Sequence, residues 1–258
     1  MASEQAAIEV VNQGGEGPFV LTCEHATNEI PEEFGNLGLD DALLEKHIAW
    51  DPGARPVAEA LARLVDGPLI MPRVSRLVCD CNRPHGSVDA TPARSEIYEI
   101  PGNRDLTPEE RETRARRFYE PFREAVEDTL RHRLQSGGTA ILVTIHSFTP
   151  IFKGKARDIQ LGILHDADSR LADAMLDIVE KEAELIVGRN QPYGPEDGVT
   201  HTLRIHALPL GLLNVMIEIR NDLLPDCSAQ TGMARRLAGY LKEALASTDP
   251  TDKAISRA

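Results

Sequence analysis

The amino-acid sequence predicts a three-layer α/β sandwich, in which a mixed, largely parallel central sheet is covered by helices on both faces. Apolar segments of strand length alternate with amphipathic segments of helix length along the chain. Residues 140–145 and 213–219 are apolar at nearly every position, which is typical of strands that are buried on both faces. Together these two observations indicate a layered α/β protein.

The individual elements follow from local patterns. Predicted strands cover residues 19–23, 69–72, 77–79, 140–145, 158–164, 185–187 and 213–219, and predicted helices cover residues 40–47, 52–65, 107–135, 169–184 and 228–246. The third of these helices has the clearest start. Thr107 is a typical N-cap, Pro108 suits the first helical position, and Glu110 can complete a capping box.

The chain predicts one domain. Its 258 residues are 41% hydrophobic, which is enough to bury one large core. No repeat and no clear linker divides it, so we expect a single domain over residues 18–246. Residues 1–17 are polar and glycine-rich and predict a loose lead-in, and residues 247–258 predict a C-terminal tail.

Charge and composition exclude several classes of function. The net charge of −13 disfavours nucleic acid and anionic membrane surfaces as partners. No apolar run approaches the roughly 20 residues that a membrane-spanning helix needs. The N-terminus lacks the pattern of a signal peptide, and four cysteines in a chain of this length do not form a disulfide framework. We therefore expect a cytoplasmic protein.

Polar side chains follow several of the predicted strands at the point where each strand ends. These residues are His25, Asp80, Asn82, Arg83, His146, Glu218 and Arg220. In open α/β sheets, ligands bind in the crevice at the carboxyl ends of the strands. The sequence therefore predicts that these distant segments converge on one site.

His25 and His146 are candidate metal ligands, because neutral imidazoles bind zinc and catalytic zinc usually takes three protein ligands. The alternative is a pair of histidines that only hydrogen-bond to neighbouring loops. The third ligand is open between Glu24, Glu29, Glu45 and Asp51. Asp51 precedes Pro52 and could equally serve as a helix N-cap.

Glu218 has two interpretations. It stands between isoleucines in an apolar strand, so it is either paired with Arg220 or a general base whose pKa is raised by burial. A thiol nucleophile at Cys23 or Cys79 is disfavoured, since a neighbouring carboxylate weakens a thiolate. Arginines near the predicted crevice indicate a small anionic substrate.

Five blocks occur in order: CEHATNEIP (23–31), HIAWDPGA (47–54), SRLVCDCNRP (75–84), IHSFTP (145–150) and IEIRND (217–222). Together they resemble the N-formylglutamate amidohydrolase family over residues 18–246. The resemblance implies a zinc carboxypeptidase-like, phosphorylase/hydrolase-like α/β fold. It also implies one Zn²⁺ per chain on His25, Asp51 and His146, with Glu218 as the general base. The substrate-binding residues that it implies are Arg76, Asn82, Arg83 and Arg220.

The function implied by the resemblance is a zinc-dependent amidohydrolase of amino-acid catabolism that cleaves N-formyl-L-glutamate to L-glutamate and formate. Two alternatives stay open. The enzyme could act on another N-acyl amino acid or amide, or the chain could be a non-catalytic binding module for small carboxylates. The sequence leaves the oligomeric state undetermined.

Overall fold

The computed structural model describes residues 7–182 and 184–248. Most of the predicted lead-in and two residues of the predicted tail are therefore described, whereas residues 1–6 and 249–258 lie outside the described part. The strands are β1 (Ile8–Val11), β2 (Phe19–Thr22), β3 (Leu69–Pro72), β4 (Arg94–Ser95), β5 (Tyr98–Glu99), β6 (Ile141–Phe148), β7 (Ile151–Phe152), β8 (Lys155–Ala156), β9 (Leu161–Leu164), β10 (Val187–Arg189) and β11 (Asn214–Arg220).

The helices frame these strands. They are α1 (Asp41–Leu44), α2 (Ala54–Leu64), α3 (Pro108–Arg114), α4 (Glu120–Gln135), α5 (Arg170–Glu182) and α6 (Cys227–Thr248). A wider π-helical turn, Ala115–Tyr119, joins α3 to α4. Among the described residues, no helix combines the length and the apolar character that crossing a bilayer requires.

Seven strands form the central sheet, in the order β1-β3-β2-β6-β11-β9-β10. Strands β3, β2, β6 and β11 run parallel to one another. The pair β9 and β10 runs antiparallel to β11, and β1 runs antiparallel to β3 at the other edge. The prediction of a mixed, largely parallel sheet is confirmed.

Two apolar layers cover the sheet. The first packs α2, α5 and α6 against one face, and the second packs α4 and the π turn at Leu203–Ala207 against the other. Alternate residues of β6 supply both layers, because successive side chains of a strand point to opposite faces. Ile141, Val143 and Ile145 join the first layer, and Leu142 joins the second. The three-layer prediction is confirmed.

The predicted strand at residues 77–79 is wrong, because this segment forms a turn. Ser75 explains the difference through its local hydrogen bonds. Its carbonyl oxygen accepts from the amide of Val78 at 2.9 Å, and its hydroxyl accepts from the amide of Leu77 at 3.2 Å. Such local bonds compete with the ladder of a sheet. The turn buries its apolar side chains in a third cluster beneath the loops.

Two further segments differ from expectation. Residues 8–11 form an edge strand within the segment whose polar composition predicted a loose lead-in. Residues 201–210, for which no element was predicted, form consecutive helical turns that pack against the sheet. The capping box that predicted the start of α3 is present, with Thr107 and Glu110 bonded to each other's backbone amides.

Candidate active site

The carboxyl ends of the parallel strands bring the predicted site residues together. His25 follows β2, His146 lies near the end of β6, and Glu218 lies near the end of β11. His146 and Glu218 are register partners on neighbouring strands. Asp51 reaches the same place from the loop before α2, where its backbone amide donates to the carbonyl of His25 at 3.0 Å.

Three acceptor atoms converge at the centre of this site. Nδ1 of His25 lies 3.2 Å from Oδ2 of Asp51, and Nδ1 of His146 lies 2.9 Å from the same oxygen. The two Nδ1 atoms are 3.2 Å apart. All three side chains are buried. The three ligands that the resemblance implied therefore form one cluster.

The far nitrogen of each imidazole faces a carboxylate. Nε2 of His25 hydrogen-bonds to Oδ1 of Asp80 at 2.8 Å, whereas Nε2 of His146 lies 3.0 Å from Oε2 of Glu24 at an angle outside hydrogen-bond geometry, so that this contact is electrostatic. A carboxylate on one ring nitrogen holds the proton there, so the lone pair of the other nitrogen is free for a metal. Both Nδ1 lone pairs then face the Asp51 carboxylate. Nη1 of Arg76 lies 3.2 Å from Nδ1 of His25 and relieves part of this arrangement, and a bound cation or a shared proton would relieve the rest.

Asp51 does not cap α2 with its side chain. The N-cap position is occupied by Gly53, and no side chain caps the helix there. The Asp51 carboxylate instead turns towards the imidazoles and accepts from the amide of Ser147 at 3.3 Å. Although burial disfavours its charge, His25 and His146 hold the pKa of Asp51 well below its usual range.

The other acidic candidates lie elsewhere. Glu24 lies on the outer side of His146, where Thr22 donates to its Oε1 atom at 3.0 Å. Glu29 and Glu45 are exposed, and Oε1 of Glu45 accepts from the side chain of Asn28. Of the four acidic candidates, Asp51 is the one that contacts both imidazoles through one oxygen.

Glu218 is a buried carboxyl group without a salt bridge to Arg220. Its Oε2 atom has no hydrogen-bond partner among the described residues. Arg220 pairs with Asp222 at 2.8 Å and donates to the carbonyl oxygens of Arg157 and Asp158. Burial raises the pKa of Glu218 to about 7, which is the range in which a carboxyl group exchanges protons near neutral pH.

The four residues expected to bind substrate lie in different surroundings. Arg76, Asn82 and Arg83 line the same cavity as the acceptor cluster, whereas Arg220 is not among its lining residues. Asn82 donates to the carbonyl of Val199 at 2.6 Å and accepts from Thr202, so its amide ties the loop after β3 to the turn at residue 202.

Comparison with known proteins connects this site to a family. The family model described as N-formylglutamate amidohydrolase matches residues 17–224. The chain belongs to the N-formylglutamate amidohydrolase family. No curated protein sequence matches it. The crystal structure of gene product Atu2144 from Agrobacterium tumefaciens is 51% identical, covers 96% of this chain and 98% of its own, and superposes with a TM-score of 0.93.

A second solved structure is more distant. N-formylglutamate amidohydrolase from Ralstonia eutropha JMP134 is 19% identical, with 92% of this chain and 98% of that chain covered and a TM-score of 0.68. At this level of sequence identity, the likeness shows a shared fold alone. Membership of the N-formylglutamate amidohydrolase family, which rests on the family model, makes the chain an amidohydrolase.

The acceptor cluster of this family member suits a divalent cation. A tetrahedral zinc site with bonds of about 2.0–2.1 Å places its ligand atoms about 3.3 Å apart, close to the separations of the three acceptor atoms. Two imidazole nitrogens and one carboxylate oxygen are a donor set that zinc accepts. Although burial opposes it, Glu24 and Asp51 raise the pKa of His146 well above its usual value, which reflects the negative surroundings of the cluster.

The cavity in front of the cluster measures about 330 Å³. Part of the cavity wall in this N-formylglutamate amidohydrolase family member was not predicted from the sequence, namely Phe148, Phe152 and Tyr193 together with His47 and Glu96. Phe148 lies two residues after His146, on the same face of β6. That spacing, together with its place in the IHSFTP block, could have identified it. The other residues come from loops and short hairpins whose positions no local pattern predicts.

Proposed function

We propose that this chain is a zinc-dependent hydrolase that cleaves the amide bond of a small N-acylated amino acid. N-formyl-L-glutamate, which would give L-glutamate and formate, is the reference substrate because the matching family is named for it. The convergence of three buried acceptor atoms, each 2.9–3.2 Å from the others, carries the proposal. We expect the reaction to take place in the cytoplasm.

His25, Asp51 and His146 would hold the ion. When bound, such an ion supplies Lewis acidity, which makes water more acidic and polarises a carbonyl group. The hydrogen bond to Asp80 favours the His25 tautomer whose Nδ1 atom faces the centre, and the charge of Glu24 beside Nε2 favours the same tautomer of His146. Arg76 bonds to Asp80 at 2.9 Å and lies 3.5 Å from Oδ1 of Asp51, so it holds both carboxylates in place.

Glu218 acts as general base and then as general acid. Its carboxylate takes a proton from the water that attacks the amide carbon. The protonated group then gives this proton to the leaving nitrogen, so that the amine departs neutral. A pKa of about 7, raised by burial, suits both transfers near neutral pH. Arg83 would bind the substrate carboxylate, and Asn82 would hold the loop that positions Arg83.

Metal content tests the proposal directly. Purified protein should contain about one zinc per chain by elemental analysis, and the His146→Ala variant should lose it. The matched control is His132→Ala, at an exposed position of α4, which should retain the metal. The metal-replete protein should release formate from N-formyl-L-glutamate or a related N-acyl amino acid. Retention of full zinc by His146→Ala would contradict the assigned site.

A metal-free protein that binds small carboxylates without hydrolysing any N-acyl substrate would instead indicate a binding module. Repeating the assay after zinc has been added distinguishes this result from loss of metal during purification. If metal was lost, added zinc should restore formate release.

A further inference from the structure

We propose that the substrate of this site is an N-formyl amino acid, or a similarly small N-acyl amino acid, with one carboxylate and an apolar side chain. The inference rests on the proposed amidohydrolase function and names its substrate class. Two features of the cavity wall support it: the number of arginines that remain available to an anion, and the position of the aromatic rings.

One of the two lining arginines is already neutralised. Arg76 lies between the carboxylates of Asp51, at 3.5 Å, and Asp80, at 2.9 Å. Arg83 donates from Nη1 to the carbonyl oxygens of Gly198, at 2.7 Å, and of Asn82, at 3.2 Å. No carboxylate of the described residues forms an ion pair with Arg83. Its guanidinium group is therefore the one lining cation that can bind a substrate carboxylate without losing a protein partner.

The remaining charge on the wall is negative. Four lining side chains carry carboxyl groups, namely Asp51, Glu96, Asp197 and Glu218, against the two guanidinium groups. When all four carboxyl groups are ionised, a divalent cation balances this difference and leaves no surplus positive charge. A substrate with one carboxylate can use Arg83, whereas the second carboxylate of a glutamate side chain would be desolvated near like charges.

An aromatic wall forms part of the cavity. Phe148, Phe152 and Tyr193 line it, which places three of the eleven aromatic residues of the chain in this one cavity. The guanidinium carbon of Arg157 lies 5.5, 4.5 and 4.7 Å from their ring centroids, in that order. Arg157 is not a lining residue, so it stacks on the rings from outside the cavity.

Arg157 also contacts the polar end of this wall. Its Nη2 atom donates to the hydroxyl of Tyr193 at 2.8 Å, so that hydroxyl accepts from Arg157 and keeps its own proton to donate. The wall therefore offers ring surface to a ligand. An apolar side chain gains free energy when it is buried against the rings, whereas a carboxylate loses its hydration there and can recover only the hydrogen bond that the Tyr193 hydroxyl still donates.

A comparison of kcat/KM between substrates tests the inference. We expect kcat/KM for N-formyl-L-phenylalanine and N-formyl-L-leucine to exceed that for N-formyl-L-glutamate by about tenfold or more. N-formyl-L-glutamine is the matched control, because it has the size of the glutamate compound without its second charge, and it should fall between them. Phe152→Ala should lower kcat/KM more for N-formyl-L-phenylalanine than for N-formylglycine. Ile151→Ala, on the same hairpin but outside the cavity, should change neither value.

A binding measurement gives a readout that does not depend on turnover. Titration calorimetry on the Glu218→Gln variant should show tighter binding of N-formyl-L-phenylalanine than of N-formyl-L-glutamate. Adding Arg83→Gln should weaken binding of the free acid by about tenfold or more while leaving that of N-formyl-L-phenylalanine amide nearly unchanged.

Two results would overturn the inference in distinguishable ways. Preference for N-formyl-L-glutamate over both its glutamine and phenylalanine analogues would overturn the substrate class and leave the amidohydrolase function standing. Failure of the zinc-loaded protein to hydrolyse any N-acyl amino acid would overturn the proposed function together with the substrate class.

Discussion

His146 illustrates how one side chain can be fixed completely by its neighbours. Its Nε2 atom faces Glu24 and its Nδ1 atom faces Asp51, at 3.0 and 2.9 Å. The register of the sheet sets this position, since Thr22 of β2 is opposite Thr144 and Glu218 of β11 is opposite His146. Rotation of the ring would move both nitrogens away from these carboxylates, so its lone pair keeps one direction.

The role of Glu218 predicts a large kinetic effect from a small change. Glu218→Gln keeps the size of the side chain and removes its ability to take a proton. We expect kcat to fall by about 10²–10⁴-fold, the usual contribution of general acid–base catalysis, while the zinc content stays at that of the unmodified protein. Stopped-flow or steady-state formate release combined with elemental analysis measures both quantities. Normal turnover by the variant would exclude the assigned role.

The buried His206 predicts how the free energy of unfolding depends on pH. Burial lowers the pKa of His206 to about 4, below that of an unfolded chain. The stability of the fold with a neutral His206 is therefore fully present above the unfolded pKa of about 6.5. It is lost as the pH falls towards 4, because the histidine of the unfolded chain binds a proton first. At pH 5 the loss amounts to about 2 kcal/mol.

The His206→Gln variant checks this prediction. The difference between its free energies of unfolding at pH 7.5 and pH 5, measured with urea, should be about 2 kcal/mol smaller than that of the unmodified protein. His132→Gln, at an exposed position of α4, is the control and should retain the original difference. An unchanged difference in His206→Gln would mean that His206 titrates alike in both states.

At the scale of elements, the start of α2 determines where Asp51 points. Gly53 has a φ of 82°, in the left-handed region that glycine adopts easily. A Cβ atom at this position would lie 2.7 Å from a side-chain carbon of Leu224, so packing also requires glycine. This tight turn ends the loop directly after Asp51, and it leaves the carboxylate free to face the imidazoles rather than the helix.

The start of α3 provides a prediction about stability alone. Thr107 accepts from the amide of Glu110 at 3.2 Å, and Glu110 accepts from the amide of Thr107 at 2.8 Å. Thr107→Ala should lower the free energy of unfolding by about 1 kcal/mol and Tm by roughly 2–4 °C without affecting zinc content. Thr113→Ala, inside the same helix, makes the same substitution without a capping bond and should not destabilise, since alanine favours helices. Equal losses in both variants would contradict the capping role.

At the scale of the whole molecule, the apolar pattern was sufficient to predict the layers and every strand of the central sheet except the edge strand β1, although it also predicted a strand at residues 77–79 that is a turn. It was also sufficient to place His146 and Glu218 at one edge, because strand ends meet there. The identity of the acidic partner was not available from the pattern, since Asp51 before Pro52 has the same local sequence as a helix cap. The contacts of Asp80 and the aromatic wall were not predictable either, because they depend on how long loops fold over the sheet and leave no periodic signal.

The same convergence predicts that metal stabilises the entire fold. The three ligands come from the end of β2, the loop before α2, and β6, so they meet only when the sheet and its helices are assembled. An ion that binds the folded state alone stabilises it by about 2.7 kcal/mol at a free concentration 100 times its Kd.

Removing zinc with a chelator should therefore lower Tm by roughly 5–10 °C for a chain of this size, and added zinc should restore it. Differential scanning calorimetry measures the shift, and His146→Ala should show none, because its site cannot bind the ion. A chelator that left Tm of the unmodified protein unchanged would mean that the acceptor cluster is balanced by protons instead of a metal.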